Sequence, residues 1–334
     1  MAKQSGQKLK LLHILDILKK YSDEDHPINA SQIAERLSDR GIVAERKSIY
    51  DDILNLEDYG YDIIKAPSNK GGWFLGEREF EVPEIYLLSD AVKSAKFISA
   101  SKTRDLLSKL KNMLSSYEAN KRQNAVYFNT FSKCSNEELF YSIDEINRAI
   151  ENKKQISFIY SSRGFDNNRN IIKKEKEMTV NPYALTWQDD HYYLVGNHNK
   201  YDNLLHLRLE RMSKVKMLDT ASRHFSEVCP YTEFFDSADY TEKLFGMYGG
   251  ECSEVELCCD KSIVEQVLDR FGEQIFIKNV TETTFSFTVK LRISEALVTW
   301  ILNYGEKITV KKPQFLSNMI LERINNVLKN YSEE

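Results

Sequence analysis

The sequence contains few of the residues that mark disordered, secreted or membrane-spanning chains. Glycine and proline are sparse, with 13 and 6 among 334 residues, while 42% of the residues are hydrophobic and 29% are charged. This composition is typical of folded globular proteins. No apolar run is long enough to span a bilayer, and the first ten residues lack the apolar core of a signal peptide. We therefore expect a cytoplasmic protein, whose length favours two to four modules.

Cysteine and histidine are also sparse, and neither is arranged as a metal or disulfide framework. The five cysteines are odd in number and include no Cys-x-x-Cys pair. His191, His198 and His206 lie near one another in sequence but lack the spacing of metal ligands on one helix. The motifs G-x-x-x-x-G-K-[ST], G-x-S-x-G and H-E-x-x-H are missing as well. These absences predict free thiols, no metal, no cofactor, no catalytic residues and no enzymatic activity.

The sequence has no excess of basic residues that would indicate a polyanionic partner. The chain has a net charge of −4, and residues 1–80 contain 12 Lys and Arg against 14 Asp and Glu, a net charge of −2. A nucleic-acid-binding function must therefore follow from the local arrangement of the cations, because the overall electrostatic attraction is weak.

Residues 1–80 carry the signals of three short helices. The first helix covers residues 9–21, where Leu recurs at steps of four and three. Asn29 begins the second helix as an N-cap, with Gln32 placed to complete a capping box, and Gly41 ends it. A third helix begins near Ala44 and stops at Gly60.

A hairpin follows the third helix. Residues 61–64 and 72–75 can pair around a tip at residues 66–71. Three short helices and a hairpin predict a winged helix-turn-helix domain over residues 1–80.

The start of the third helix and the hairpin tip carry the candidate DNA-binding residues. Recognition helices place their N-terminal residues on base edges, and hairpin cations suit backbone phosphates. A solvated helix face that mediates only protein contacts is the alternative, and Asp51 and Asp52 favour it because acids repel phosphates. The candidates are Arg46, Lys47, Ser48 and Tyr50 on the helix, and Lys65, Ser68, Asn69 and Lys70 at the hairpin.

This segment resembles the winged helix of WYL-domain regulators, which has the pattern R-R-T-[IV]-Y-R-D-[IL]-x-x-L. Asp51 departs from the pattern, because the family commonly has Arg there, and one phosphate contact implied by the resemblance is therefore missing. The matching positions are Arg46, Lys47, Ser48, Ile49, Tyr50, Asp52 and Ile53.

Residues 81–134 predict a helical linker. Two helices are indicated over residues 84–120, with Leu106, Leu110 and Met113 on a single stripe. This stripe fits a spacer that completes the first core, and it fits a dimer brace equally well, because a stripe this short does not distinguish the two partners.

Residues 135–222 predict one helix followed by several short strands. Ser135 and Glu138 are spaced as a capping box, residues 155–160 alternate as a strand, and residues 162–178 follow as a loop. This order suggests a small β-barrel. The region is similar to the WYL domain, an SH3-like or Sm-like barrel, through residues 182–185, 192–195 and 208–212, with Tyr192 in place of the family's Trp.

The polar residues of this region predict an anion-binding pocket. His206 and Arg208 share one strand face, and Arg211 follows where the strand ends. Two guanidinium groups suit phosphate oxygens, and nearby tyrosines can stack on a base. In the WYL family this pocket is thought to bind nucleic acid or a nucleotide-like ligand. Alternatively, Tyr193 belongs to the core and Arg208 pairs with Glu210 or with another acid that the sequence does not identify. The candidate ligand-binding residues are Tyr160, Tyr192, Tyr193, His206, Arg208 and Arg211.

Residues 223–334 predict a C-terminal domain, and from Cys252 onward they predict the element order β-α-β-β-α-β and a final helix, which fits a ferredoxin-like sandwich. The segment resembles the WCX extension that follows WYL domains, and the match rests on Trp300, Gly305, Val310 and Pro313. The predicted fold class is therefore an α+β multidomain protein in which a winged helix-turn-helix, a small β-barrel and a ferredoxin-like domain follow one another.

The residues and the resemblance together predict a transcription regulator that binds a double-stranded DNA operator. Its WYL domain would sense a nucleic-acid or nucleotide-like effector, and a homodimer would bind two half-sites. The resemblance also implies an alternative, since WYL proteins often accompany phage-defence systems. In that alternative the chain is an accessory RNA- or single-stranded-DNA-binding protein that modulates a CRISPR-type or other defence nuclease.

Overall fold

The computed structural model describes residues 3–67, 71–121 and 133–332, with side chains from Leu9 onward. The chain divides into two compact units, Met1–Glu137 and Glu138–Glu334. Helices and several separate sheets confirm the predicted α+β class. The four finer domain boundaries and the names of the three sub-folds stay predictions. In the described part of the chain, no helix is both long and apolar enough to cross a membrane.

The first unit begins with the predicted three helices and hairpin. Asn29 and Gln32 form the expected capping box, and Gly60 ends the third helix in the left-handed conformation with φ +113°. The second helix ends at Ser38. The turn that follows it includes Gly41, which has a positive φ of +74°. The elements are α1 (Lys3–Tyr21), α2 (Ala30–Ser38), α3 (Arg46–Tyr59), β1 (Ile63–Lys65) and β2 (Trp73–Leu75).

The apolar stripes of these helices meet in one core that also holds the hairpin in place. Ile28 and Trp73 exchange two backbone hydrogen bonds of 2.8 and 2.9 Å, which tie β2 to the segment before α2. A side chain at Gly72 would lie 2.5 Å from the Ile28 carbonyl oxygen, so this close approach requires glycine. Three short helices follow: α4 (Val82–Ser94), α5 (Ala100–Lys111) and α6 (Ser116–Lys121), one more than expected.

The second unit begins with a helix and an antiparallel sheet. Within residues 133–332 the sheet order is β6-β5-β4-β3-β7. The edge strands β6 and β7 are joined by the short 3₁₀ turn Leu209–Arg211, which spans at most about 10 Å, so the sheet curls until its edges approach. The elements are α7 (Leu139–Glu151), β3 (Lys154–Phe165), β4 (Ile171–Gln188), β5 (His191–Asn197), β6 (Leu204–Arg208) and β7 (Met212–Ala221).

Two local expectations for this unit are wrong. Residues 162–178 form the ends of β3 and β4 and the turn between them instead of a loop. The period-2 pattern is missing there because most of these side chains are exposed on both faces. Ser135 and Glu138 do not form the expected capping box, since the helix begins at Leu139 with Glu138 itself as the N-cap; the Glu138 carboxylate accepts a 3.0 Å hydrogen bond from the backbone N–H of Lys214.

A buried asparagine lies where β4 changes its pairing partner. Val180 is the last residue of β4 paired with β3, and Asn181 is the first paired with β5. The Asn181 amide oxygen accepts hydrogen bonds of 2.9 Å from the Gln155 side chain and from the Arg223 backbone. Its amide nitrogen lies 2.6 Å from the Asn199 side-chain oxygen. Asn181 itself is fully buried, so this network satisfies a polar group deep in the unit.

The remainder of the second unit begins with a short helix (Ser237–Glu242), and from Cys252 onward it has the predicted β-α-β-β-α-β order and a final helix. The sheet order is β11-β8-β10-β9, so the first strand of this region lies in the interior of its sheet. Both β10 and β11 pair antiparallel with β8. The elements are α8 (Ser237–Glu242), β8 (Cys252–Asp260), α9 (Val264–Phe271), β9 (Ile277–Lys278), β10 (Thr284–Arg292), α10 (Glu295–Leu302), β11 (Ile308–Lys312) and α11 (Gln314–Ser332).

We expect Asn181→Leu to destabilise the second unit by about 3 kcal/mol. Leucine has a similar shape but leaves the buried Gln155 amide and the Arg223 N–H without their acceptor. Calorimetric unfolding of the full chain measures the effect. Asn199→Ala removes a partner on the exposed side of the network and should cost less than about 1 kcal/mol. Equal losses in the two variants would show that the burial of Asn181 is not what makes it important.

Candidate functional site

The first turns of α3 present three of the four predicted DNA-binding side chains to solvent. Arg46, Lys47 and Tyr50 are exposed. The Tyr50 ring also contacts Trp73 edge to face, with 4.8 Å between ring centroids. This contact orients the tyrosine from the hairpin side, since the Trp73 side chain is buried.

A buried cation explains why α3 carries an acid in its second turn. The Lys10 ammonium of α1 lies 2.7 Å from the Asp52 carboxylate, and both side chains are largely buried. Lys10 also donates a hydrogen bond to the Ser48 hydroxyl. Asp52 therefore neutralises Lys10 inside the unit instead of facing solvent, and Ser48 lies on this inner side of the helix. Asp51 remains exposed beside the cations.

The hairpin contributes one described candidate. Lys65 is the last residue of β1 and is exposed. Ser68, Asn69 and Lys70, the other predicted phosphate contacts, lie outside the described residues. The first unit thus exposes the cations Arg46, Lys47 and Lys65, and it also exposes the acids Asp51 and Asp58 of α3.

The second predicted site lies on β5 and β6. Tyr193 pairs with Arg208 and Val195 pairs with His206, so Tyr193, His206 and Arg208 share one face of the sheet. Tyr192 points to the opposite face, because neighbouring residues of a strand alternate, and it cannot line a site with the other three. The Tyr160 hydroxyl accepts a 3.3 Å hydrogen bond from the Arg208 backbone N–H.

The Arg208 guanidinium is already engaged by an acid. Its Nε donates a 2.6 Å hydrogen bond to Glu210, whose side chain is only 11% exposed. A terminal nitrogen of Arg208 lies 2.6 Å from Nδ1 of His191, and the same Nδ1 lies 2.8 Å from Glu210. Burial lowers the pKa of His191, outweighing the opposing effect of Glu210. The cluster of Arg208, Glu210 and neutral His191 is therefore close to electrically neutral. This agrees with the alternative interpretation, in which Arg208 pairs with an acid instead of binding a ligand.

His206 is covered by a residue far along the chain. Its Nε2 lies 2.9 Å from the hydroxyl of Tyr240 in α8. Burial, reinforced by the charge of Arg292, lowers the pKa of His206 to about 4. The imidazole is neutral near pH 7 and supplies no positive charge to an anion.

An apolar layer covers the rest of this sheet face. Tyr193 and Val195 pack against Tyr240, Leu244 and Met247, and all five side chains are buried. Tyr193 thus belongs to the core, as its alternative interpretation expected. Arg211, in the 3₁₀ turn after β6, is exposed.

Two further residues that the sequence reasoning missed lie beside this face. The Arg292 guanidinium lies 5.0 Å from the centre of the Tyr240 ring and donates a 2.9 Å hydrogen bond to the Gly250 carbonyl oxygen. Both Tyr240 and Arg292 line a cavity of about 580 Å³. No local pattern announces these two residues, because they reach the site from separate elements. Among the described residues, no three His, Cys, Asp or Glu side chains are grouped to hold a metal ion.

Comparison with known proteins identifies the first sheet of the second unit. Residues 142–217 match the WYL domain family. This range holds the three segments on which the resemblance was based, so the predicted WYL domain is confirmed. No curated protein matches the chain. Among solved structures, the chain is similar to proteasome accessory factor B/C (PafBC) of Arthrobacter aurescens, with 16% identity and a TM-score of 0.28. The likeness covers 96% of this chain and 46% of that one, so this chain spans less than half of its length.

We expect the second unit to lose stability between pH 6.5 and about 4. The unfolded state binds a proton on His206 in this range, whereas the folded state, with a pKa of about 4, does not. Stability from the neutral imidazole is thus complete above pH 6.5 and falls by roughly 3 kcal/mol as the pH approaches 4. Thermal unfolding of His206→Gln should show a smaller pH dependence in this window. His198→Gln, in the turn after β5, is the control and should behave like the parent chain. Identical pH profiles for all three proteins would contradict the assignment.

Proposed function

We propose that this chain, which contains a WYL domain, is a transcription regulator that binds a duplex DNA operator through α3 and the hairpin β1–β2. The observation that supports this most directly is the position of the charges in the first two turns of α3, where Asp51 is the exposed acid. Its acid Asp52 is turned inward onto Lys10, while Arg46 and Lys47 project into solvent from the first turn. The N-terminal end of a helix attracts phosphate, and recognition helices contact bases with these turns.

The internal ion pair also stiffens the proposed recognition helix. Lys10 is anchored in α1, and it holds α3 through both Asp52 and Ser48. A helix fixed in this way presents its outer face without first losing conformational freedom, which reduces the free-energy cost of binding. A single helix contacts only a few base pairs, so we propose that a homodimer binds two half-sites of an inverted repeat.

We further propose that the second unit senses an anionic, nucleic-acid or nucleotide-like effector. The charges beside the predicted pocket limit which residues can bind this effector. Arg208 is neutralised by Glu210, so its role is to fix the end of β6, and the exposed Arg211 is the cation of the predicted set that remains available. An effector regulates only by binding DNA-competent and DNA-incompetent states with different affinities.

We expect Arg46→Ala/Lys47→Ala to weaken operator binding about 30-fold or more without changing the melting temperature. Each lost contact to a base or phosphate costs about 1–3 kcal/mol, and both side chains are exposed. Selection from a random duplex pool identifies the operator, and fluorescence anisotropy measures the affinity. Lys111→Ala, at the exposed end of α5, is the matched control and should bind like the parent chain.

The charge reversal Asp51→Arg tests the orientation of the same helix. It should strengthen binding to all duplexes at low salt, roughly 3- to 10-fold, because a repelled acid becomes a phosphate contact. The gain should shrink as salt rises. If the affinity of Asp51→Arg equals that of the parent chain at every salt concentration, α3 does not lie against the DNA backbone as proposed.

The two arginines of the second unit should respond differently to truncation. Arg211→Ala should weaken binding of a short single-stranded oligonucleotide about tenfold or more at an unchanged melting temperature, since a charge-assisted contact is lost. Arg208→Ala should instead lower the stability by about 2 kcal/mol, because Glu210 is left buried without its cation. Arg208→Ala/Glu210→Gln should recover much of that loss. Calorimetric titration and thermal unfolding on the same preparations distinguish the roles, and unchanged oligonucleotide affinity in Arg211→Ala would remove it from the effector site.

A further inference from the structure

The hairpin formed by the ends of β3 and β4 projects beyond its sheet. The last pair between β3 and β7 is Tyr160 with Met212, and pairing between β4 and β5 begins only at Asn181. Over residues 161–177, which we call the arm, the two strands pair only with each other among the described residues. The five pairs from Ser161–Glu175 to Phe165–Ile171 give a ribbon about 17 Å long.

The turn at the end of the arm is closed by its own hydrogen bonds, and the strand ends next to it expose apolar side chains. Asp166 accepts hydrogen bonds of 2.9 and 2.8 Å from the backbone N–H groups of Asn168 and Asn170. Phe165 and Ile171 face each other just below this turn and are 70% and 69% exposed. A two-stranded ribbon is only marginally stable in water by itself. An apolar pair at its tip, with no core beneath it, therefore points to a binding partner.

The charges of the arm are sorted by face. The arm carries five Lys and Arg against three Asp and Glu, a net charge of +2 in a chain of net charge −4. Lys174 and Lys176 lie on the face that also holds Ser162 and Gly164, whereas Glu175 and Glu177 point to the other face. Within the part of the chain that the structure describes, Lys174 and Lys176 form no ion pair, while Glu175 pairs with Lys173 at 2.7 Å.

Gly164 keeps this cationic face flat. Lys174 crosses the ribbon so closely that a side chain at Gly164 would lie 3.0 Å from its Cε and 3.3 Å from its Nζ. The Lys174 side chain thus lies along the surface, with its ammonium over the opposite strand at Gly164. The result is a smooth face two strands wide, with Lys174 and Lys176 as its charges and no acid.

We propose that the arm binds duplex DNA end-on, with Lys174 and Lys176 on one face against backbone phosphates and with the Phe165–Ile171 pair, on the opposite face at the tip, reaching into the groove. A two-stranded ribbon fits the width of the major groove, and apolar tips are used in architectural DNA binding. Single strands are bound by successive stacking aromatics, and the arm has one aromatic residue, Phe165. Two cationic faces of this kind would repel each other, which disfavours pairing with the same face of a second copy. The inference rests on the proposed function and adds to it a second DNA contact, in the unit that contains the WYL domain.

The test compares two double variants that remove the same charge from opposite faces. Lys174→Gln/Lys176→Gln changes the proposed DNA face, and Arg163→Gln/Lys173→Gln changes the other face of the same ribbon. We expect the first to weaken binding of the full chain to a random-sequence duplex about tenfold at low salt. The slope of log affinity against log salt should also fall by about two, because two phosphate contacts are lost. The second variant should change both quantities much less.

A variant of the tip separates the apolar contact from the charges. Phe165→Ser/Ile171→Ser should weaken duplex binding while leaving the salt slope unchanged, because an apolar contact releases no counterions. Equal effects of the two charge variants would overturn the proposal, since net charge alone would then explain them. Larger losses for a single-stranded oligonucleotide than for duplex would overturn it in favour of single-strand binding. A change from dimer to monomer in light scattering would assign the arm to a second copy.

The α3 variants, measured in parallel, keep this inference separate from the proposed function. If Arg46→Ala/Lys47→Ala abolishes operator binding while the arm variants bind duplex normally, the arm proposal falls and the regulator function stands. If the arm variants lose duplex affinity while the α3 variants bind normally, the arm contact stands and the assigned role of α3 falls.

Discussion

The hydrogen-bonding demand of one buried amide, that of Asn181, governs how the second unit is built. A fully buried asparagine is tolerated only where its oxygen and nitrogen both find partners, and here they come from Gln155, Asn199 and the backbone of Arg223. These partners belong to β3, to the turn after β5 and to the segment after β7. The amide therefore fixes the point at which β4 leaves one neighbour and joins the next. The arm lies on one side of that point, and on the other side an irregularity between Pro182 and Ala184 shifts the pairing before the β5–β6 face begins.

The same unit shows that a basic side chain serves the fold when a neighbouring acid or burial neutralises its charge. Arg208 has an acidic partner and neutral His191 beside it, so its charge is used within the fold. His206 is held neutral by burial under Tyr240. In the first unit Lys10 is likewise paired with Asp52 inside the core. Among the described residues, Arg46 and Lys47 on α3 and Lys174 and Lys176 on the arm form no ion pair, and such cations make the proposed DNA binding compatible with a negative net charge.

The helices and the element order were predictable from sequence because their signals are local. Asn29 with Gln32 and the stop at Gly60 define helix ends within a few residues, and both occur as expected. The arm was not predictable, since strand recognition depends on one buried face and the arm has none. In the site, alternation alone placed His206 and Arg208 on one face. Tyr240 covers His206 although the two residues are 34 positions apart, and a periodic sequence pattern does not predict a contact over that separation. The pairing of Arg208 with Glu210 was recognisable as an alternative because both lie in one short segment.

The continuity of β4 has a consequence for how such an arm can vary in length. Its 18 residues run without interruption from the tip of the arm into the sheet. Pairs added near the turn, beyond Lys174, would extend the reach of the arm by about 3.3 Å each and leave the lysines in place. Residues added between Lys176 and Asn181 act differently, because an odd number would rotate both lysines to the other face. Reach and orientation are therefore set at opposite ends of the ribbon. Related chains could lengthen the arm freely at its tip, while at its base only even-numbered insertions would preserve the cationic face.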